Sequence, residues 1–181
     1  MEIERKYLVA ELPEGYETFP CREIQQAYLC TDPVVRVRRD GEAFYLTYKS
    51  KGLLAREEYN LPLTGEAYGH LLAKADGIVL TKTRYRIPME GTGLTIELDV
   101  FHGTYEGLVL AEVEFSSQEE ALAFTAPCWF GRDVTFTGEY QNSRLSQGLS
   151  PACGTPDIQA PSTGQGAPEP PLPPGLPKAA Q

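Results

Sequence analysis

Charged residues recur at every second position along several short segments of this chain, and the sign of the charge is sorted by segment. The acidic members are Glu2, Glu4, Glu97, Asp99, Glu112 and Glu114, and the basic members are Arg36, Arg38, Lys82, Arg84 and Arg86. A period of two is the pattern of β-strands, whose alternate side chains share a face. Like charges two apart on one face repel each other. The fold must therefore bring acidic and basic strands together.

The alternation predicts seven strands and two helices. The strands are expected at residues 2–9, 34–39, 43–50, 55–61, 81–87, 94–101 and 109–115. One helix is expected at 66–74, after Thr64 as N-cap, and one at 117–124, opening with Ser117 and Glu120 as a capping box. Asp40-Gly41 predicts a hairpin turn. Many strands with two short helices indicate an antiparallel, mainly β (α+β) domain.

The charged faces fit two architectures. In a half-buried antiparallel sheet they would be the solvated face, but such a face usually mixes the two signs along each strand. A closed barrel with its charged face inward explains the sorting better, and barrels of about eight strands can hold one small ligand. Acidic walls suit a hard divalent cation, and guanidinium groups suit phosphate. The patterning therefore predicts a barrel that binds a metal–phosphate complex.

The composition changes near Gly148. Nine prolines and three charged residues lie between Ser150 and Gln181, in a stretch with almost no aliphatic periodicity. Such a segment buries too little apolar surface to offset the entropy of ordering it. We expect one domain at residues 1–148 and a disordered Pro-rich tail at 149–181.

Net charge and cysteine content exclude several classes of protein. With 25 acidic and 16 basic residues the formal charge is −9, which argues against nucleic-acid and membrane-surface partners. The N-terminus lacks the apolar stretch of a signal peptide, and no run is apolar and long enough to span a membrane. The four cysteines lack CxxC spacing and the two histidines are isolated. We therefore expect reduced thiols, no zinc site and a cytoplasmic location.

Seven ordered segments resemble the motifs of the CYTH domain, the triphosphate tunnel metalloenzymes, over residues 1 to about 145. The first, Glu2-Ile-Glu-Arg-Lys6, is similar to the ExExK signature of that family. The others are Arg36-Val-Arg38 for RxR, Leu46–Gly52 for LTxKxxG, Arg56–Tyr59 for RxEY, Lys82–Arg84 for KxR, the acidic strands around Asp99 and at Ala111–Phe115, and the closing segment Trp129–Thr135 with Tyr140–Asn142.

The resemblance implies an eight-stranded antiparallel closed barrel with a few short helices, whose tunnel binds a triphosphate with Mg²⁺ or Mn²⁺. It assigns the metal to Glu2, Glu4, Glu58, Asp99, Glu112 and Glu114. It assigns the triphosphate to Lys6, Arg36, Arg38, Lys49, Arg56, Lys82 and Arg84. It assigns catalysis to Glu4 and to a dyad of Lys6 and Tyr28.

Three positions depart from the family pattern. Asn60 stands where the second acid of the RxEYE strand is usual, which removes one carboxylate from the metal wall. Thr137 and Glu139 stand where an acid and an arginine are more typical. None of these changes affects the ExExK triad.

The resemblance implies hydrolysis of the terminal phosphate of inorganic tripolyphosphate. A nucleoside or thiamine triphosphatase and a class IV adenylate cyclase would use the same triphosphate grip, although no motif supplies a place for adenine. A polyphosphate-binding module without turnover is the alternative outside enzymes. The outer face of the barrel needs a cover, from the helices or from a second copy of the chain in a homodimer.

Overall fold

This computed structural model describes residues 2–149, which contain ten strands, three short α-helices and two single turns of 3-10 helix. The strands are β1 (Glu2–Val9), β2 (Cys21–Thr31), β3 (Val34–Asp40), β4 (Ala43–Lys49), β5 (Ala55–Arg56), β6 (Glu58–Pro62), β7 (Asp76–Pro88), β8 (Thr95–His102), β9 (Val109–Glu114) and β10 (Phe130–Asp133). The helices are α1 (Gly65–Leu72), α2 (Gln118–Ala123) and α3 (Asn142–Leu145). The predicted disordered tail lies outside the described residues, apart from Leu149.

The sheet curls until its two ends nearly meet. Its strand order is β10-β1-β9-β8-β7-β2-β3-β4-β6, and β5 pairs with β1. Only Glu57 separates β5 from β6, so the two act as one bent strand that pairs with β4 on one side and β1 on the other. Without β10, this path gives eight antiparallel strands in a nearly closed barrel, which confirms the predicted fold class.

Strand β1 is bonded along both of its edges. Residues 4–8 pair with β9, while the other edge is divided between β5 at Glu2 and Ile3 and β10 at Tyr7 and Val9. Between those two partners the Lys6 amide donates to Thr135 Oγ1 at 3.0 Å, and the Val134 amide donates to the Lys6 carbonyl at 2.9 Å. The backbone that carries the ExExK residues is therefore held on both sides.

The inner face of the barrel changes character along its length. Its charged part carries the side chains that the alternation predicted. The other end is filled by an apolar cluster of Tyr28, Leu80, Phe101, Leu110 and Leu145. Leu145 comes from α3, which is held to β7 by the hydrogen bond from the Ile78 amide to the Ser146 carbonyl at 2.7 Å. We call this cluster the apolar plug, because it closes one end of the interior.

Helices and loops cover the outer face. Helix α1 lays Tyr68 against Ala27 and Val37 of β2 and β3. Helix α2 contributes Ala121 to a second cluster on the outside of β1, β8 and β9. Thr64 and Ser117 cap these helices as predicted, accepting from the Ala67 amide at 3.2 Å and the Glu120 amide at 3.1 Å.

Three elements were not predicted: β2, β10 and α3. Strand β2 carries no alternation of charge, and its adjacent residues Ala27 and Tyr28 are both buried because α1 covers one face and the plug fills the other. Strand β7 also begins at Asp76, five residues before the predicted start, for the same reason: its first residues include Leu80 of the plug.

The described residues bear on two predictions, the absence of a membrane-spanning segment and the state of the cysteines. No helix among residues 2–149 combines the length and the apolar character needed to cross a bilayer. Cys21, Cys30 and Cys128 form no disulfide among the described residues, and their reduced state stays a prediction. Cys153 lies outside the described part of the chain.

Gly77 lets the closing segment approach β7, and this generates a prediction. A Cβ on Gly77 would lie 2.3 Å from the Ser146 carbonyl oxygen, whereas one on Gly91 would meet nothing within 4 Å. Both glycines have positive φ, 73° and 75°, so alanine strains both backbones alike. We expect Gly77→Ala to lower the free energy of unfolding by about 1–3 kcal/mol more than Gly91→Ala does. Urea unfolding of both variants measures the difference, and equal midpoints would contradict the close approach.

Candidate active site

The charged part of the barrel interior encloses a cavity of about 390 Å³. That volume lies in the range typical of small-molecule sites. Its walls are polar, and they are formed by Glu2, Glu4, Lys6, Tyr28, Val34, Arg36, Arg38, Lys49, Arg56, Glu58, Asn60, Arg84, Glu97, Glu112, Glu114, Gln141, Asn142 and Ser143. Twelve of the fourteen side chains assigned from the sequence are among them.

Lys6 and Glu112 form a buried ion pair across β1 and β9. The Lys6 Nζ lies 2.8 Å from Glu112 Oε1 and 3.8 Å from Glu4 Oε1. Burial alone would lower the pKa of Lys6, but the carboxylates of Glu112 and Glu4 outweigh it and raise the pKa. Burial likewise opposes ionisation of Glu112, yet Lys6 and Arg84 hold its pKa well below the usual range. Both groups are therefore charged at neutral pH.

Glu2 joins β1 to the opposite end of the sheet. Its carboxylate accepts from Lys49 Nζ at 2.6 Å and from Arg56 Nε at 2.7 Å. Lys49 also lies 2.6 Å from Glu58 Oε2. Burial raises the pKa of Glu58, but hydrogen bonding with Glu2 and the charge of Lys49 dominate and bring it to about 2. These contacts cross the line where the barrel closes.

Arg84 sits at the centre of an acidic cluster on β8 and β9. Its Nε donates to Asp99 Oδ1 and its Nη2 to Glu112 Oε2, both at 2.6 Å, and Nη1 contacts Glu97. Planar guanidinium groups suit such multiple carboxylate contacts. Arg84 is thus fixed by three acids while one face of it still lines the cavity.

Lys82 and Asp99 lie outside the cavity lining, unlike the other predicted residues. They are fully buried, they contact each other, and the Lys82 ammonium also lies 5.2 Å from the centre of the Phe101 ring. Burial and the neighbouring charge of Arg84 lower the pKa of Lys82 to about 8. Their strand positions put them on the inner face, as predicted, but at a depth where Arg84 and the apolar plug cover them.

Two arginines of β3 have no close carboxylate partner among the described residues. The nearest carboxylate oxygen to Arg36, Glu58 Oε1, is 4.0 Å away, and within residues 2–149 its buried Nε has no hydrogen-bond partner. Arg38 donates only to the neutral side chain of Gln26, at 3.0 and 3.3 Å. Burial and the charges of Arg36 and Arg84 lower the pKa of Arg38 to about 10, so it remains charged at neutral pH. An anion in the cavity would meet both groups.

Within the described part of the chain, Glu114 is an acidic side chain without a basic partner, the reverse of the situation at Arg36 and Arg38. Burial, then the charges of Glu2 and Glu97, raise its pKa, and among the described residues no base pairs with it. Most of the other carboxylates are drawn to bases, so residues 2–149 contain no cluster of three or more metal ligands already assembled. Carboxylate oxygens are the donors that hard divalent cations prefer. Repulsion at Glu114 is the kind of imbalance that a bound cation relieves, so these residues fit one.

Tyr28 and Lys6 share the cavity but do not contact each other in this structure. The Tyr28 hydroxyl accepts a hydrogen bond from Gln26 Nε2 at 3.0 Å, while the ammonium of Lys6 is taken up by Glu112 and Glu4. Their predicted role as a dyad stays a prediction.

The departures from the family pattern have different positions. Asn60 lines the cavity, where its amide donates to Glu58 Oε1 at 2.7 Å, so it orients an acid instead of adding one. Glu139 pairs loosely with Arg132, at 3.8 Å, outside the lining. Thr137 donates to the Val134 carbonyl at 3.1 Å.

Sequence reasoning did not identify four polar residues of the site. Gln141, Asn142 and Ser143 reach the lining from the closing segment, and Gln26 lies behind Arg38. All four are uncharged, and three of them lie at the start of the one-turn helix α3, so neither charge sorting nor periodicity marked them. The only available signal was the likeness of Tyr140–Asn142 to the closing segment of the family.

A sequence model of the CYTH domain matches residues 1–146 of this chain. An inorganic triphosphatase from Nitrosomonas europaea is 40% identical over 151 residues, which cover 80% of this chain and 96% of that protein. An inorganic triphosphatase from Acetivibrio thermocellus is 38% identical over 150 residues, which cover 80% of this chain and 92% of that protein. The matched region contains every residue of the cavity lining.

The fold agrees with a solved structure of similar sequence. A crystal structure of an inorganic triphosphatase aligns with a TM-score of 0.62 at 37% identity, covering 81% of this chain and 94% of the other. Sequence and backbone comparisons therefore point to the same group of proteins.

Arg36 and Arg38 generate a prediction about anion binding. We expect tripolyphosphate in the presence of EDTA to raise the melting temperature of the protein by a few degrees, because a ligand that binds only the folded state stabilises it. Arg36→Ala should lose most of that increase. Arg39→Ala is the matched control, since Arg39 lies on the same strand with its side chain exposed. Equal increases in the Arg36→Ala and unsubstituted proteins would show that Arg36 does not meet the anion.

Proposed function

This chain belongs to the CYTH-domain family, and from that premise we propose that it is an inorganic triphosphatase that hydrolyses the terminal phosphate of tripolyphosphate in its barrel cavity. Two similar proteins bear that name, and their matches cover more than nine-tenths of their own length. The observation that carries the proposal is that, within residues 2–149, the cavity wall holds both basic and acidic side chains without close partners of opposite charge. Among the described residues, Arg36 has only a long contact of 4.0 Å to Glu58, Arg38 has no carboxylate partner, and Glu114 has no basic partner.

The basic residues divide into two groups in this proposal. Arg36 and Arg38 bind phosphate oxygens without breaking an ion pair of 3 Å or less. Lys6, Lys49 and Arg56 now hold carboxylates, and they would exchange these for phosphate oxygens. Arg84 keeps its carboxylates and presents its remaining face, with Lys82 and Asp99 supporting it from behind. Arginine can bind two oxygens at once, whereas lysine acts as a point charge.

We propose Mg²⁺ or Mn²⁺ as the cation, held by Glu114 together with Glu2, Glu4, Glu58 and Glu112. When bound, such a cation neutralises charge on the phosphate oxygens and acts as a Lewis acid. When Lys6, Lys49 and Arg56 exchange their carboxylate partners for phosphate oxygens, the carboxylate oxygens become available to the cation. Anion and cation binding should therefore support each other.

The reaction itself places few demands on the protein beyond positioning and charge. A water oxygen forms a bond to the terminal phosphorus as the bond from that phosphorus to the bridging oxygen breaks, which yields orthophosphate and pyrophosphate. We assign Glu4 to accept the water proton, with Glu2 as the alternative acceptor. Lys6 and Tyr28 donate to oxygens that gain charge.

We also propose that the protein works in the cytoplasm. The support is chemical: Cys21, Cys30 and Cys128 lie on exposed positions and form no disulfide among the described residues, and exposed thiols persist in a reducing compartment. A homodimer stays a prediction, since α1 and α2 already cover much of the outer face.

Phosphate release from a panel of substrates tests the proposed activity. The panel is tripolyphosphate, ATP, thiamine triphosphate and pyrophosphate, each with Mg²⁺, Mn²⁺ or EDTA. We expect metal-dependent release from tripolyphosphate well above that from ATP, because the cavity is lined by charged groups suited to phosphate and metal.

Other outcomes would favour the alternatives. Faster release from ATP or thiamine triphosphate would indicate a nucleoside or thiamine triphosphatase, and cyclic AMP formed from ATP would indicate a cyclase. Tripolyphosphate binding in EDTA without release under any condition would indicate a binding module. Each of these results would contradict the proposed activity.

Two substitutions test the assigned roles. We expect Glu4→Ala or Lys6→Ala to reduce turnover by at least about a hundredfold, the scale for loss of one preorganised group. Lys74→Ala is the control, because Lys74 is exposed on the outer side next to α1. Circular dichroism establishes that each variant is folded, and wild-type turnover in a folded Glu4→Ala protein would refute its assignment.

A further inference from the structure

Gln26 is a fully buried polar residue that no part of the reaction described above uses. It lies on the inner face of β2, where antiparallel pairing sets it opposite Arg38 and sets Tyr28 opposite Arg36. Its amide makes three hydrogen bonds: it accepts from Arg38 Nη2 at 3.0 Å and Nε at 3.3 Å, and it donates to the Tyr28 hydroxyl at 3.0 Å. A single side chain thus bridges two residues of the cavity wall.

The chemistry of these three groups fixes the direction of every bond. A guanidinium group has donors and no acceptor, so the amide must turn its oxygen toward Arg38. The NH₂ group then faces Tyr28, whose oxygen has to accept. The hydroxyl proton of Tyr28 is consequently free to point to another acceptor. Since Tyr28 lines the cavity, that acceptor can be an oxygen of a bound anion.

Because Gln26 is uncharged, it does not cancel the positive charge of Arg38. Lys6, Lys49, Arg56 and Arg84 each contact a carboxylate at 2.8 Å or less. Arg38 contacts none within residues 2–149 and is held by an uncharged oxygen instead. A carboxylate at position 26 would cancel this charge, whereas an amide satisfies the donors and leaves the charge available to the ligand.

We propose that Gln26 is a positioning residue: its neutral amide orients Arg38 and Tyr28 toward the cavity, keeps the charge of Arg38 for a phosphate oxygen and reserves the Tyr28 hydroxyl as a hydrogen-bond donor. The inference rests on the proposed function of the cavity as a triphosphate site.

Two nearly isosteric substitutions separate this role from a purely structural one. Gln26→Glu keeps the shape, pairs with Arg38 and accepts a hydrogen bond from the Tyr28 hydroxyl, so it reverses one hydrogen bond and neutralises one cation. Gln26→Met keeps most of the volume but gives Arg38 no acceptor. If Gln26 only stabilised the fold, tripolyphosphate binding and KM would follow the stability of each variant.

The measurements are the melting temperature without ligand, the increase caused by tripolyphosphate in EDTA, and kcat and KM with metal. For Gln26→Glu we expect an unchanged or higher melting temperature, a smaller increase with tripolyphosphate, and a KM raised at least about tenfold, as for one lost charge contact. For Gln26→Met we expect a lower melting temperature with most of the tripolyphosphate-induced increase retained. Binding would then not follow stability: Gln26→Glu would lose binding without losing stability, and Gln26→Met would lose stability while keeping most of the binding.

A third comparison applies even if Gln26→Glu does not fold. Gln26→Met should lower kcat in the unsubstituted background and lower it much less in a Tyr28→Phe background, because the effect on kcat acts through the hydroxyl. Equal losses in both backgrounds would overturn the link to Tyr28. Wild-type KM and a wild-type tripolyphosphate response in folded Gln26→Glu would overturn the link to Arg38.

The outcome for Gln26 can be distinguished from the outcome for the function. An unsubstituted protein that neither binds nor hydrolyses tripolyphosphate would refute the proposed function. An unsubstituted protein that binds it, alongside a Gln26→Glu variant that binds equally well, would refute only the role of Gln26. Binding in EDTA provides this readout without turnover.

Discussion

Burying charge is costly unless each group has a partner, and this constraint organises the whole barrel. The ion pairs that satisfy it also join neighbouring strands: Lys6 with Glu112 joins β1 to β9, and Lys49 with Glu58 joins β4 to β6. Lys49 with Glu2 reaches from β4 to β1 across the short strand β5, where backbone pairing is sparse. Charges that would repel along one strand thus hold the closed form of the sheet together.

The sequence predicts the charged half of the site because like charges at a period of two leave few alternatives. Sorting by sign required acidic and basic strands to face each other, and the structure places Glu2, Arg36 and Glu112 on one inner surface. The family resemblance added chemical roles that the pattern alone does not contain. It also placed Tyr28 in the site, although its strand was not among those predicted.

The parts of the fold and site that the sequence did not predict involve uncharged side chains and the depth of a residue within the barrel. Strand β2 was missed because Gln26 and Tyr28 carry no charge and because burial on both of its faces removes the alternation. The period of two gives the face of Lys82 and Asp99 correctly but says nothing about how far along the axis they lie. The closing residues Gln141–Ser143 enter the wall through tertiary contacts of a single helical turn, which no local pattern records.

The apolar plug closes one end of the barrel interior, so the cavity opens to solvent at the other end. Phe101, Leu110 and Leu145 fill the interior beyond the charged region, so a linear phosphate chain has no route through the barrel and can enter only end first. A phosphate chain that entered from the open end would bring its terminal phosphate to the innermost charged side chains first.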